Sequence, residues 1–238
     1  MTSSQAGPLQ LFELAAADPQ VRFSPNCWRI RLALIHKGLQ CERLDWRFTE
    51  KQRIAASGQG KVPVLVDGGL VLHESWDIAC HLERSHADRP SLFGPPPGQA
   101  LARFVNQWAA ESLHPALARV IVPAIADMVA DCDRAYFVQT REATLGASMD
   151  ELRRLRGESL AALTKVLQPL RSTLGTQDFL CGAQPLYADM VAYSAFQWAR
   201  MCDPQPVLAA DDGLRPWLRR MDDRFPEAAQ APGVHYPF

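Results

Sequence analysis

The spacing of apolar positions changes period along this chain, and each change marks an element. Residues 9–14 form a short apolar run with the length of a buried strand. After a loop over 15–23, Ser24-Pro25 reads as an N-cap followed by proline at the first helical position. Trp28, Leu32 and Ile35 then recur at helical spacing, and Lys37-Gly38 supplies a basic last turn and a terminating glycine. Residues 41–48 read as a second strand. The runs 62–66 and 70–73 flank Asp67-Gly68-Gly69, which predicts a hairpin. Helical spacing returns from Glu74 to His86 through Ile78 and Leu82. The expected order is β-α-β-α-β-β-α, with the second helix in the irregular stretch between 48 and 62.

The pattern breaks at "DRPSLFGPPPGQ", where three consecutive prolines (Pro95, Pro96, Pro97) cannot sit inside a helix and stiffen a connector. Residues 1–88 are therefore expected to form one domain, 89–99 a proline-rich linker and 100–238 a second domain. Strand signals are sparse after the linker. Helices are expected over 101–130, kinked at Pro115 and Pro123, then over 135–146, 149–174, 187–201 and 213–225. The fold class is thus a small α/β module followed by an all-α one.

Composition narrows the function. Lys+Arg 25 against Asp+Glu 26 leaves a net charge of −1, which argues against a nucleic-acid or membrane surface as partner. Six cysteines (Cys27, Cys41, Cys80, Cys132, Cys181, Cys202) show neither C-x-x-C nor zinc-ligand spacing, and read as reduced thiols with no metal. Residues 1–8 lack the regions of a signal peptide, and no apolar run approaches the roughly 20 residues of a membrane span. A cytoplasmic location is expected.

Three segments of the first module carry candidate chemistry. At Ser24 a hydroxyl caps a helix whose free N–H groups and dipole favour an anion in front of it, although Ser-Pro is also an ordinary helix start. In "GKVPVLVDGG", Pro63 removes a donor from a strand read as central. Either the strand is an edge with a trans proline, or the Val62-Pro63 bond is cis and leaves the Val62 backbone free to pair with a peptide-like ligand. In "LHESWDI", Glu74-Ser75 sits where a strand gives way to a helix. The pair is suited to hold a carboxylate and an amine, or simply to cap the helix.

Taken in order, S-P-x-C, K-V-P-V-L and E-S-x-x-I resemble the thioredoxin-like half of a cytosolic glutathione transferase, and the linker and helical second half are similar as well. The resemblance covers about residues 9–225. It implies glutathione as co-substrate, with Val62 beside a cis Pro63 pairing with the cysteinyl part. Glu74 and Ser75 would hold the γ-glutamyl end, and Lys61 or Gln59 the glycyl carboxylate. It also implies a homodimer, with a small electrophile as the second ligand.

Within the family, serine at position 24 argues against the cysteine-based disulfide chemistry of omega-type members. "CWRIRLALIHKG" is similar to zeta-type maleylacetoacetate isomerases, but Pro25 and Asn26 replace two residues of their signature. The closer likeness is to serine-type bacterial β-etherases and their fungal relatives, through Ser-Pro-x-x-Trp, Val-Pro-Val and "AYFVQTREATLG". On this reading Ser24 is the catalytic residue, donating to the glutathione sulfur, and Asn26 offers a second donor. Cys27 reads as a small buried residue. His114, Tyr136 and Phe137 fall near the expected cleft by position alone. A Ser/Thr-x-x-Asp capping box of the family is altered to Leu186-x-x-Asp189, which loses one of its two reciprocal bonds and leaves Asp189 as a buried cap. Three rivals stay open: a zeta-like isomerase, a glutathione-transferase-like binding protein without catalysis, and a thiol reductase using Cys27.

Overall fold

A computed structural model describes residues 8–238. Four strands, β1 (Leu9–Leu14), β2 (Cys41–Trp46), β3 (Val64–Asp67) and β4 (Leu70–His73), form one sheet in the order β2-β1-β3-β4. β1 and β2 run parallel, whereas β3 is antiparallel to both β1 and β4. The parallel pair needs a crossover, supplied by helix α1 (Pro25–Lys37). α2 (Ser75–Ser85) follows β4. This is the expected thioredoxin-like unit.

Local chemistry explains most of its boundaries. Ser24 is the N-cap of α1, Pro25 opens it, and Gly38 ends it at φ 64°. The hairpin turns through Gly68 and Gly69, at φ 55° and 99°. Two expectations need correction. β3 begins at Val64 rather than Val62, because Pro63 has no N–H to give the ladder and the Val62-Pro63 bond is cis. The segment between β2 and β3 holds a 3₁₀ helix, Lys51–Ser57, in place of an α-helix; the backbone departs from helical geometry at Ile54, one of its two buried residues.

One residue of β1 breaks the apolar logic of the sheet. Glu13 is fully buried, and neither carboxylate oxygen has a hydrogen-bond partner among the described residues. Burial raises its pKa against the opposing charges of Arg31, Arg43 and Arg22, while the neighbouring thiols of Cys27 and Cys41 feel its charge. The folded chain thus keeps a proton that the unfolded chain releases. Its relative stability is greatest below the ordinary 4.5 and declines as pH rises through the folded value. Glu13→Gln removes this slope. In urea titrations the variant's advantage over the parent should widen from near pH 4 to near pH 8; a gap that does not grow with pH would contradict the assignment.

The rest of the chain is helical: α3 (Gly98–Trp108), α4 (His114–Met128), α5 (Asp131–Leu145), α6 (Met149–Arg154), α7 (Arg156–Val166), α8 (Gln168–Leu174), α9 (Tyr187–Cys202), α10 (Arg215–Arg224) and the short α11 (Pro226–Ala229). The helix expected over 101–130 is two, joined by a π-helical turn at Ala109–Leu113. Pro115 lacks the N–H that would continue the ladder, so the turn before it widens, whereas Pro123 is accommodated inside α4. The helix expected over 149–174 is three, with breaks at Leu155 and Leu167 and Pro169 opening α8.

The helical domain is built around α9, fully buried along most of its length and packed on α1. Asp189 accepts from the backbone N–H of Leu186 at 3.3 Å, the retained half of the capping bond. It also accepts from the N–H of Leu180 at 2.8 Å and from Trp217 Nε1 at 3.1 Å. Leu186 gains an apolar contact with the linker instead, because a Cβ on Gly94 would fall 2.9 Å from its Cδ1. Tyr187 joins the two halves: its N–H donates to Leu92 O at 2.8 Å and its hydroxyl to Ser75 O at 3.0 Å.

Candidate active site

The sheet register assembles the site. Phe12 and His73 both face Val64 from opposite sides, so residue 62, just before β3, lies beside the end of β1 and the start of α2. Phe23 N–H donates to Leu14 O at 3.2 Å, which holds the α1 N-terminus at that same end. Ser24 is nearly buried there. Its Oγ accepts from Cys27 N–H over a long 3.4 Å, and the hydroxyl also lies against the Cys27 thiol. Three elements that sequence alone treats separately therefore converge.

Beside them opens a cavity of about 500 Å³ between the two domains. Ser24, Asn26, Lys61 and Val62 line it, with Phe23, Trp46 and Phe48 from the first domain. The wall from the second domain includes His114, Val122, Ile125, Tyr136, Phe137, Arg141 and Trp198. Gln59, Pro63, Glu74 and Ser75 are not part of this lining. Pro63 is buried. Gln59 closes the loop after the 3₁₀ helix, its backbone paired with the Ser57 hydroxyl. Glu74 is exposed at the N-cap of α2 with φ 61°, a strained conformation for a residue with a Cβ. Ser75 follows as the first residue of α2.

His114 is held by a buried relay. The Arg29 guanidinium donates to Asn106 Oδ1 at 2.7 Å and, through its other terminal nitrogen, faces His114 Nε2 at 3.2 Å. Burial, with Arg29 adding to it, pushes the imidazole pKa down to about 3. A guanidinium can only donate, so Nε2 accepts and the ring hydrogen is on Nδ1. Trp28 and Arg29, which carry the zeta-like likeness, are core residues in this chain.

The aromatic wall is tied across the domains. Asp133, buried in the first turn of α5, accepts from Thr49 N–H at 2.9 Å and Phe48 N–H at 3.3 Å. That grip holds the Phe48 ring 5.6 Å from Phe137 and 6.0 Å from Tyr136. Cys27 lies outside the cavity lining, and burial pushes its thiol up to about 12, so it offers no thiolate near neutral pH. That removes the basis of a Cys27 reductase. Among the described residues, no cluster of three or more His, Cys, Asp or Glu is arranged to hold a metal, and no helix is long and apolar enough to cross a membrane.

This combination, a thioredoxin-like unit with a capped serine facing an all-helical domain across an apolar cleft, is that of a glutathione-using enzyme class. Family models agree: residues 19–90 match the glutathione S-transferase N-terminal domain and residues 100–223 the glutathione S-transferase C-terminal domain. The chain belongs to the glutathione S-transferase family. It is 31% identical over 225 residues to glutathione S-transferase 4 of Zea mays, covering 88% of this chain and 92% of that one. A glutathione S-transferase-like protein of Aspergillus flavus is 23% identical over 236 residues, covering 85% and 84%. Two fungal structures share the fold. A glutathione transferase of Phanerochaete chrysosporium has a TM-score of 0.80 at 22% identity, covering 90% of this chain and 95% of that one. A glutathione S-transferase of Ceriporiopsis subvermispora in complex with glutathione has a TM-score of 0.83 at 20% identity, covering 95% and 99%.

Proposed function

We propose that the protein is a serine-type glutathione transferase that attacks a small aromatic or apolar electrophile with the glutathione thiolate. The observation that carries this reading is the Ser24 hydroxyl, the N-cap of α1, in the cavity wall beside Val62. Ser24 donates to the sulfur, with Asn26 as a second donor. The Val62 backbone, turned out by the cis bond to Pro63, pairs with the cysteinyl unit. Glu74 and Ser75 take the γ-glutamyl end at the α2 N-terminus, and Lys61, with Gln59 near it, takes the glycyl carboxylate.

Lowering a thiol pKa from about 8.5 to about 6.5 requires roughly 2.7 kcal/mol of anion stabilisation. One charge-assisted hydrogen bond together with a helix N-terminus is of that size. The sulfur then forms a bond to an electrophilic carbon while the leaving group departs with the bonding pair; in a β-aryl ether that group is a phenolate. The likeness of "AYFVQTREATLG" to etherases supports this substrate class, and the lining of Phe48, Tyr136 and Phe137 suits an aryl ring.

Adding glutathione to the protein near pH 7 should produce the ultraviolet band of a thiolate, titrating about two units below the free thiol. Absence of both the band and of calorimetric binding would sink the proposal. The working form we propose is a cytoplasmic homodimer. Phe104, 69% exposed, and Leu101 on α3 are apolar side chains left open in one chain, and light scattering at the mass of a single chain would exclude the dimer.

A further inference from the structure

The charges in the cleft are one-sided. Its lining includes Lys61 and Arg141 but no aspartate or glutamate. Lys61 is accounted for by glutathione; Arg141, on the far wall, is not. Among the other arginines of the helical domain partly withdrawn from solvent, Arg156 pairs with Asp203 at 2.9 Å, Arg171 with Asp212 at 2.7 Å and Arg200 with Asp222 at 2.8 Å, while Arg119 donates to Leu145 O at 3.0 Å and Arg215 to Ala209 O at 2.8 Å. Arg141 makes no ion pair among the described residues, and its only hydrogen bond there goes to the neighbouring Thr140 hydroxyl at 3.2 Å. Its guanidinium rests 5.0 Å from the Phe137 ring centre and 5.5 Å from that of Phe48. These ring faces fix the cation without neutralising it. Phe48 is itself clamped by Asp133, so the position is built from both domains.

We propose that Arg141 is a specificity residue that selects an electrophile carrying a carboxylate or similar planar anion on its aromatic body. An unpaired guanidinium in a largely apolar cavity disfavours its own burial and gains most from a planar, bidentate anion. Phe48, Phe137 and Trp198 offer the surface for the ring that bears it. The inference rests on the glutathione reading only for the assignment of Lys61.

The test is a matched pair of probes that need no turnover. Binding of 2-naphthoate and of its methyl ester is read by quenching of tryptophan fluorescence, Trp46 and Trp198 being in the cavity wall. In the parent protein the acid should bind about tenfold tighter than the ester. Arg141→Met should bring the two within about twofold by weakening the acid and leaving the ester, Arg141→Lys should keep part of the preference, and Lys61→Met should keep all of it. Should Arg141→Met lose its circular dichroism signature, Arg141→Gln takes its place. Equal binding by the parent overturns the proposal, as does a preference that survives loss of Arg141 or disappears with Lys61. A protein that keeps this preference but gives neither the thiolate band nor calorimetric binding of glutathione loses the transferase reading and retains this one; the reverse result does the opposite.

Discussion

Ser24→Ala should lower turnover near pH 7 by about 3- to 30-fold while glutathione still binds. The size follows from one hydrogen bond. A charge-assisted bond to an anion contributes about 1.5–3 kcal/mol, so its loss returns the sulfur pKa upward by about one to two units. The thiolate fraction at pH 7 then falls from about three quarters to between about a quarter and a thirtieth. Binding survives because the contacts proposed for Val62, Glu74, Ser75 and Lys61 do not involve the hydroxyl. The deficit should shrink as pH rises toward about 9, where the thiol ionises unaided. Unchanged turnover at neutral pH would transfer the role to Asn26 or the helix backbone; a deficit constant with pH would mean that Ser24 acts on geometry rather than ionisation.

The largest effect on stability is expected at Asp189. Asp189→Ala leaves the N–H groups of Leu180 and Leu186 and the Trp217 indole without their acceptor in the core of the helical domain. Each unpaired buried donor costs about 1–3 kcal/mol, partly offset by relief of the carboxylate's own desolvation. A net loss of about 3–5 kcal/mol should appear in the urea unfolding free energy. Asp189→Asn keeps one acceptor oxygen and should lose about half as much. The pH dependence adds a second signature. Burial raises the carboxyl pKa to about 6 from 3.8, so the folded state binds the proton more tightly than the unfolded state between those values. Stability therefore falls as pH rises from about 4 to about 6 and levels off above. The asparagine variant lacks that slope. A loss under 1 kcal/mol for the alanine variant would mean that water or a shifted backbone satisfies the three donors.

What the sequence made legible was the locally punctuated part. Ser24-Pro25 and Gly38 bracket α1 because an N-cap, a proline and a left-handed glycine act within one turn. Asp67-Gly68-Gly69 placed the hairpin for the same reason. The break at Leu155 escaped because that residue carries no breaking chemistry, whereas the break at Leu167 did carry a signal, Pro169 opening α8, that the long apolar pattern overrode. The π-helical turn escaped because Pro115 acts on residues before it. Of the first-domain residues singled out by ordered motifs, Ser24, Asn26, Lys61 and Val62 line the cavity and Gln59, Pro63, Glu74 and Ser75 do not. Of the second-domain wall, position along the chain brought His114, Tyr136 and Phe137 near the cleft but missed Arg141 and Trp198, because the wall comes from three helices that only tertiary packing unites. A partial signal existed: Phe137 and Arg141 are four apart in "YFVQTRE" and share a helix face, which an amphipathic reading assigns to packing. The Arg29–His114 contact spans 85 positions, and no spacing rule reaches it.

That contact also sets the shape of the acid–base response. With its imidazole neutral down to about pH 3, His114 lends the cleft a fixed dipole rather than a proton that comes and goes. On the proposed mechanism the ionisation of the glutathione sulfur, rather than of His114, then sets the response of the rate to pH. A plot of rate against pH should show a single rising limb and a plateau, without the descending arm that a catalytic acid would impose.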